Sequence, residues 1–191
     1  MIIWIRITII GFWVFKSHLV EKFYIDATDE CPHIHDFITF VKSIGAISAY
    51  AYLGDVGNSV TGDKKAQVFE DAFLNALIAW LKQNGMNAVT YMPARNTDAQ
   101  LKRIIRLCRE QDLFQICGED INTPFQSFIC KQLAQPEFHH LADAAWALIG
   151  HEQLASKDLD DGMFSEKTIH AFPLLSDRIA HFAKAARDMK G

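Results

Sequence analysis

The chain is sparing in the residues that mark specialised classes. Four cysteines occur in 191 residues, Cys31, Cys108, Cys117 and Cys130, and none stands in a CxxC pair. That excludes a zinc ribbon, a thioredoxin-type site and a disulfide-dense scaffold, and leaves reduced thiols in a cytoplasmic setting as the expectation. Five prolines and ten glycines are too few for a collagen-like rod or a low-complexity linker. Basic charge is not in excess either. With 19 Lys and Arg against 23 Asp and Glu the net charge is −4, so bulk electrostatics imply neither nucleic acid nor a membrane surface as partner. No apolar run reaches the ~18 residues of a membrane span. The nearest, MIIWIRITIIGFWVF at residues 1–15, is interrupted by Arg6 and lacks a basic start and a small-residue cleavage site. Its β-branched residues, with Arg6 and Thr8 on one face of an alternation, read as a buried strand; a degenerate anchor is the alternative.

What is present is half hydrophobic and 22% charged, the composition of one globular domain. From His33 onward an amphipathic stretch is followed by a short apolar run and a polar loop, and this repeats, as expected of β/α units around a parallel sheet. A first helix runs from Pro32 to its stop at Gly45, with Ile34, Phe37, Ile38, Val41 and Ile44 at helical spacing. A strand is expected over Ala46 to Leu53. Lys64 to Asn84 reads as a helix with a stripe of Phe69, Phe73, Leu77 and Leu81, ended by Gly85. Ala88 to Met92 forms a second strand. Thr97 with Gln100 opens a capped helix. Leu113 to Cys117 forms a third strand. Beyond Pro124 the pattern is helical, over Gln126 to Leu133, Glu137 to about Leu154, and Leu175 to Met189.

Ligand sites in parallel sheets form at the carboxyl ends of the strands, where loops and helix N-termini converge. Those ends carry Tyr52, Gly54 and Asp55; then Arg95 and Asn96; then Glu119, Asp120 and Asn122. The adjacent Glu119 and Asp120 repel unless a cation compensates them, and carboxylate oxygens beside an amide oxygen suit Mg²⁺, Mn²⁺ or a mixed site. The alternative is that Asp120 or Asn122 caps a helix while Glu119 faces water. The loop GDVGNSVTGDKK, with Lys64 and Lys65, suits a phosphate held by backbone amides. It is not a Walker A sequence, and a plain glycine-rich loop capped by Asp63 is the alternative reading. His33 and His35 fall in a first helical turn and His139 and His140 on a helix, so surface positions are expected for all of them. His151-Glu152 has Ala155 where a zincin's second ligand would stand.

Over Phe37 to Asn122 the chain resembles the second half of the PHP (polymerase and histidinol phosphatase) superfamily of metal-dependent phosphoesterases. The family's helix, Gly-Gly turn and strand ending Ala-His-Pro-Gly correspond to Gly45-Ala46, the strand, and Ala51-Tyr52-Leu53-Gly54. Its next strand and loop correspond to Gly85 to Tyr91 and Pro93-Ala94-Arg95-Asn96-Thr97, and its Gly-Ser-Asp-x-His to Gly118-Glu119-Asp120-Ile121-Asn122. The family's two histidines are Tyr52 and Asn122 here, and its first HxH matches no strand end.

The resemblance implies an α/β fold, a partial PHP-type β/α barrel over 1–123 with a helical C-terminal extension over 124–191. A full barrel takes about 250 residues; about four strands, mainly parallel, are read in this chain. Another half of the barrel or another copy of the chain would then cover its open surface. It also implies a metal-dependent hydrolase of phosphate esters using Mn, Mg or Zn. Asp120, Glu119 and Asn122 would be its ligands, Glu119 a general base, Arg95 and Lys64 the phosphate-binding charge, Asn96 a further ligand-binding group, and Tyr52 a positioning hydroxyl. The second reading is a degenerate domain that binds a small phosphorylated or anionic ligand, or a partner protein, without catalysis. A third is an assembly scaffold built on its aromatic surface.

Overall fold

The computed structural model describes residues 30–55, 68–119, 121 and 127–189. The strand expected within residues 1–15 and most of the glycine-rich loop lie outside these residues.

Local capping chemistry sets the first helix. In α1 (Ile34–Ser43) the His33 imidazole accepts the His35 amide proton at the N-terminus, and the chain turns out at Gly45, where φ is +68°. The following strand β1 (Ala49–Ala51) is shorter than the apolar run predicts. Its flanks still bond to the next strand, with the Ala88 amide on the Ser48 carbonyl (2.9 Å) and the Tyr52 amide on the Thr90 carbonyl (2.8 Å), and they bond to side chains as well. The Ser48 amide donates to Asn87 Oδ1, and the Leu53 and Gly54 amides donate to the Glu70 carboxylate.

Helix α2 (Leu74–Gln83) begins ten residues later than its sequence pattern predicts. The reason lies in Asp55, whose Oδ1 accepts the amides of Phe69 (2.9 Å) and Asp71 (3.1 Å) and holds this stretch off a helical path. The buried stripe is therefore Leu74, Ile78 and Leu81, while Phe69 is 69% exposed. Strand β2 (Ala88–Tyr91), helix α3 (Asp98–Glu110) and strand β3 (Phe114–Cys117) match their sequence signals closely. The α3 capping box is complete, with the Thr97 hydroxyl on the Gln100 amide and the Gln100 side chain on the Thr97 amide.

The strands make a parallel sheet in the order β1-β2-β3, with Ala51 opposite Thr90 and Tyr91 opposite Cys117. Alternation divides the residues between two cores. Val89 and Tyr91 join Leu74, Ile78 and Leu81 of α2 and Leu101, Ile104 and Leu107 of α3. Ala88 and Phe114 point the other way, onto Ala144 and Ala147 of α4 (His139–Ala155) and Phe182 and Ala183 of α6 (Leu175–Asp188). The sheet is thus covered on both faces by helices, as strands without an exposed face require. Between α4 and α6 lies α5 (Glu166–Ala171), a short helix capped by Ser165 that the apolar pattern does not announce.

Two further expectations are corrected. Of the helix predicted over Gln126 to Leu133, the described residues keep a single 3₁₀ turn, Lys131–Ala134. The Ser127 hydroxyl takes the Ile129 amide, a local bond that competes with helix formation. His140 is half-buried instead of at the surface, because its Nε2 meets the Tyr91 hydroxyl at 3.0 Å. Close approach fixes the α4 and α6 pair. A Cβ on Gly150 would stand 2.0 Å from the Phe182 carbonyl oxygen. One turn of α4 away from the sheet contacts, buried His151 accepts the Met163 amide on Nδ1 (3.0 Å), joining α4 to the chain ahead of α5. The described residues are therefore a mixed α/β fold of three parallel strands and six helices. None of those helices is long and apolar enough to cross a membrane.

Candidate functional site

Because the strands are parallel, their carboxyl ends lie at one edge of the sheet, as the sequence predicts. At the end of β1 the dominant feature is a carboxylate node. Tyr52 is 1% exposed and its hydroxyl donates to Asp71 Oδ1 at 2.5 Å. The Tyr50 hydroxyl donates to Glu70, whose other oxygen accepts the amides of Leu53 (3.0 Å) and Gly54 (2.7 Å). Asp71 Oδ2 accepts the Asp55 amide (3.1 Å) and the Gln100 Nε2 (2.8 Å), while Arg103 Nη1 donates to the Asp71 carbonyl. Burial and the neighbouring carboxylates push both tyrosine hydroxyls well above their ordinary pKa, so they stay protonated and donate to those carboxylates. Burial also pushes the Asp71 carboxyl up, but hydrogen bonds from Gln100, Tyr52 and the Asp55 amide, with the Arg103 charge, hold it below the ordinary carboxylate value.

This node works as a clamp. Asp55 bonds forward to Phe69 and Asp71, and Asp71 bonds back to Asp55, so the two ends of the segment from Asp55 to Val68 are fastened together at the edge of the sheet. Gly54 is required there. It holds φ at +70°, and a Cβ would stand 2.7 Å from Gln100 Nε2. Tyr52, expected to position a substrate oxygen, is instead enclosed and committed to Asp71.

At the end of β2, Asn96 is buried and bridges two loops. Its Oδ1 accepts the Met92 amide (3.0 Å) and its Nδ2 donates to the Leu53 carbonyl (2.8 Å), which uses its amide for architecture. Arg95 is different. Its side chain is half-buried, and its Nε is enclosed without a hydrogen-bond partner among the described residues.

At the end of β3, Glu119 Oε1 accepts the Ala94 amide at 2.7 Å and lies 3.5 Å from the Cys130 Sγ. Cys117 ends β3 two residues before Glu119. Burial, with the Glu119 charge nearby, pushes the Cys117 thiol up to about 11 and the Cys130 thiol in the same direction. Gly118 passes so close to β2 that a Cβ would meet Thr90 Oγ1 at 2.0 Å. Asp120, Asn122 and Lys64 lie outside the described residues.

The structure thus brings Arg95, Asn96, Glu119 and Tyr52 to one edge and gives three of them internal partners. Two of the three metal ligands that the resemblance implies, Asp120 and Asn122, are not among the described side chains. Among the described side chains, no group of three or more His, Cys, Asp or Glu is placed to hold an ion. Glu119 spends one oxygen on the Ala94 amide and Cys130. The clamp carboxylates Glu70 and Asp71 were not singled out by sequence reasoning, although they form the same kind of adjacent acidic doublet as Glu119 and Asp120. Gln100 was read only as a cap residue, yet its Nε2 also donates to the Asp55 carbonyl (2.8 Å). Compared with family models, curated proteins and solved structures, the chain matches none of them.

Proposed function

We propose that the carboxyl edge of the sheet binds a small phosphorylated or anionic ligand, in a PHP-like β/α domain that has lost the family's histidine ligands. The proposal includes a cytoplasmic setting, in which the four cysteines stay reduced under resting conditions. One observation carries it. Arg95 follows β2 directly and keeps an enclosed Nε without a partner, at an edge where Tyr52, Asn96 and Glu119 are already hydrogen-bonded. An enclosed N–H donor without a partner is costly, and an oxyanion is the ligand that a guanidinium's planar donor set fits. Metal-dependent phosphoester hydrolysis at the same edge, with Glu119, Asp120 and Asn122 as ligands, is the second reading. It is favoured by the placement of the Gly118-Glu119 turn directly after β3.

Thermal unfolding of the full chain with inorganic phosphate and with small phosphate monoesters, each with and without Mn²⁺, tests the proposal. Ligand at a hundred times its Kd adds about 2.7 kcal/mol to stability. The expected result is metal-independent stabilisation that Arg95→Met abolishes. Stabilisation only with Mn²⁺, accompanied by phosphate release, would assign the hydrolase reading. No shift with any anion, or an equal shift in Arg95→Met, would overturn both the site and the role of Arg95.

A further inference from the structure

Beside the edge strand β3 lies a cavity of about 480 Å³, bounded by the end of α3 and by helices α4 and α6. Its apolar wall is made by Leu113, Ala144, Leu175, Ile179 and Ala183. Four charged side chains also line it, and they divide into two kinds. Arg187 and Asp143 pair with one another at 2.6 Å. Arg109 and Asp112 have no ion pair or side-chain hydrogen bond among the described residues, not even to each other, although they stand three residues apart at the end of α3. Neighbouring groups are already committed. Arg178, next to Ile179, donates to the Phe172 and Pro173 carbonyls (2.8 and 3.0 Å), and His140 uses both ring nitrogens, on the Glu137 carbonyl and the Tyr91 hydroxyl.

Asp112 is also held at a cost. It is the one described non-glycine residue with a positive φ (+50°), the left-handed conformation that closes a helix and that glycine adopts without steric strain. Its amide meets the Arg109 carbonyl at 3.3 Å, so one turn of backbone carries both unpaired charges to the cavity.

We propose that this cavity binds a free α-amino acid with an apolar side chain. The Arg109 guanidinium takes the carboxylate through its planar donors, Asp112 takes the ammonium, and Leu113, Leu175 and Ile179 cover the side chain. A cation and an anion on one turn suit a ligand that carries an anion and a cation on one carbon. A simple anion would be repelled by Asp112, and a simple cation by Arg109. The volume falls within the ~300–1,000 Å³ of small-molecule sites. Arg109 and Asp112 precede β3 whereas Glu119 follows it, so the cavity is separate from the Arg95 edge.

Isothermal titration of the full chain with L-leucine and L-phenylalanine tests the proposal. The comparison ligands are isocaproate, which is leucine without its ammonium, and isoamylamine, which is leucine without its carboxylate. The expected result is saturable binding of at least one of the two amino acids, with each comparison ligand about ten- to a hundredfold weaker, the factor that one charge-assisted contact contributes. Arg109→Gln and Asp112→Asn weaken amino-acid binding by a similar factor. Asp112→Gly separates binding from folding, because it relieves the left-handed strain: Tm without ligand does not fall, while affinity does. No saturable binding of either amino acid, a comparison ligand that binds as tightly as L-leucine, or unchanged affinity in Arg109→Gln or Asp112→Asn would overturn the proposal. Arg109 is exposed and unpaired among the described residues, so its variant folds and decides the matter by itself.

Discussion

Removing Glu70 gives the sharpest test of the clamp. The carboxylate is 7% exposed and accepts three hydrogen bonds, from the Tyr50 hydroxyl and from the Leu53 and Gly54 amides. Glu70→Ala leaves the buried Gly54 N–H without a partner and exposes two half-buried donors to whatever water enters. An unsatisfied buried donor costs about 1–3 kcal/mol, and bonds to a charged acceptor contribute roughly 1.5–3 kcal/mol each before the desolvation of the charge is subtracted. The three donors share one acceptor group, so their contributions do not add. A net loss of about 2–4 kcal/mol follows. In a chain of this size each kcal/mol moves Tm by about 2–4 °C, so the melting point should fall by about 5–15 °C. Glu70→Gln keeps an oxygen for the two amides and turns its NH₂ to Tyr50, whose hydroxyl can accept, so it should lose about half as much. Urea unfolding of the three proteins, with the slopes compared to confirm a common denatured state, measures the order directly. Glu70→Ala within about 0.5 kcal/mol of the wild type would refute the clamp, since that is the range of an ordinary surface change.

Gly150→Ala gains about 1 kcal/mol of helix propensity but drives a Cβ to 2.0 Å from the Phe182 carbonyl, so α4 and α6 must separate. Net destabilisation of about 1–3 kcal/mol in denaturant titration is expected, and a stabilised variant would show that the helices yield freely. His151 supplies a pH dependence. Burial lowers its pKa below the ordinary 6.5, against smaller raising effects from the Gly45 backbone and Glu152, so the fold binds fewer protons than the unfolded chain as pH drops below that value. The stability contributed by neutral His151 is therefore complete above about pH 6.5 and is lost as pH falls towards the lowered value. His140 acts in the same direction, through burial and the Arg109 charge. Melting curves from pH 7.5 to 5 should show a decline that is shallower in His151→Asn, and parallel curves would refute the assignment.

The sequence by itself determined the elements whose causes are local. The Thr97 and Gln100 capping box, the turns at Gly45 and Gly85 and the parallel repeat of β2 and β3 were legible because each depends on residues within one turn or on a period of two or 3.6. It also brought the three strand ends to one edge, since parallel strands in series leave their carboxyl ends together.

Contacts between distant segments were not legible. Nothing near Phe69 in the chain announces that the Asp55 carboxylate will take its amide and delay α2, which exposes Phe69 and Phe73 where periodicity would have buried them. Only the fold decided that Tyr52 closes on Asp71, that Asn96 ties Met92 to Leu53, and that Glu119 takes the Ala94 amide. The physical reason is the same in each case. Backbone and side-chain polar groups must find partners once buried, and which partner is within reach is fixed by how the sheet and its helices pack.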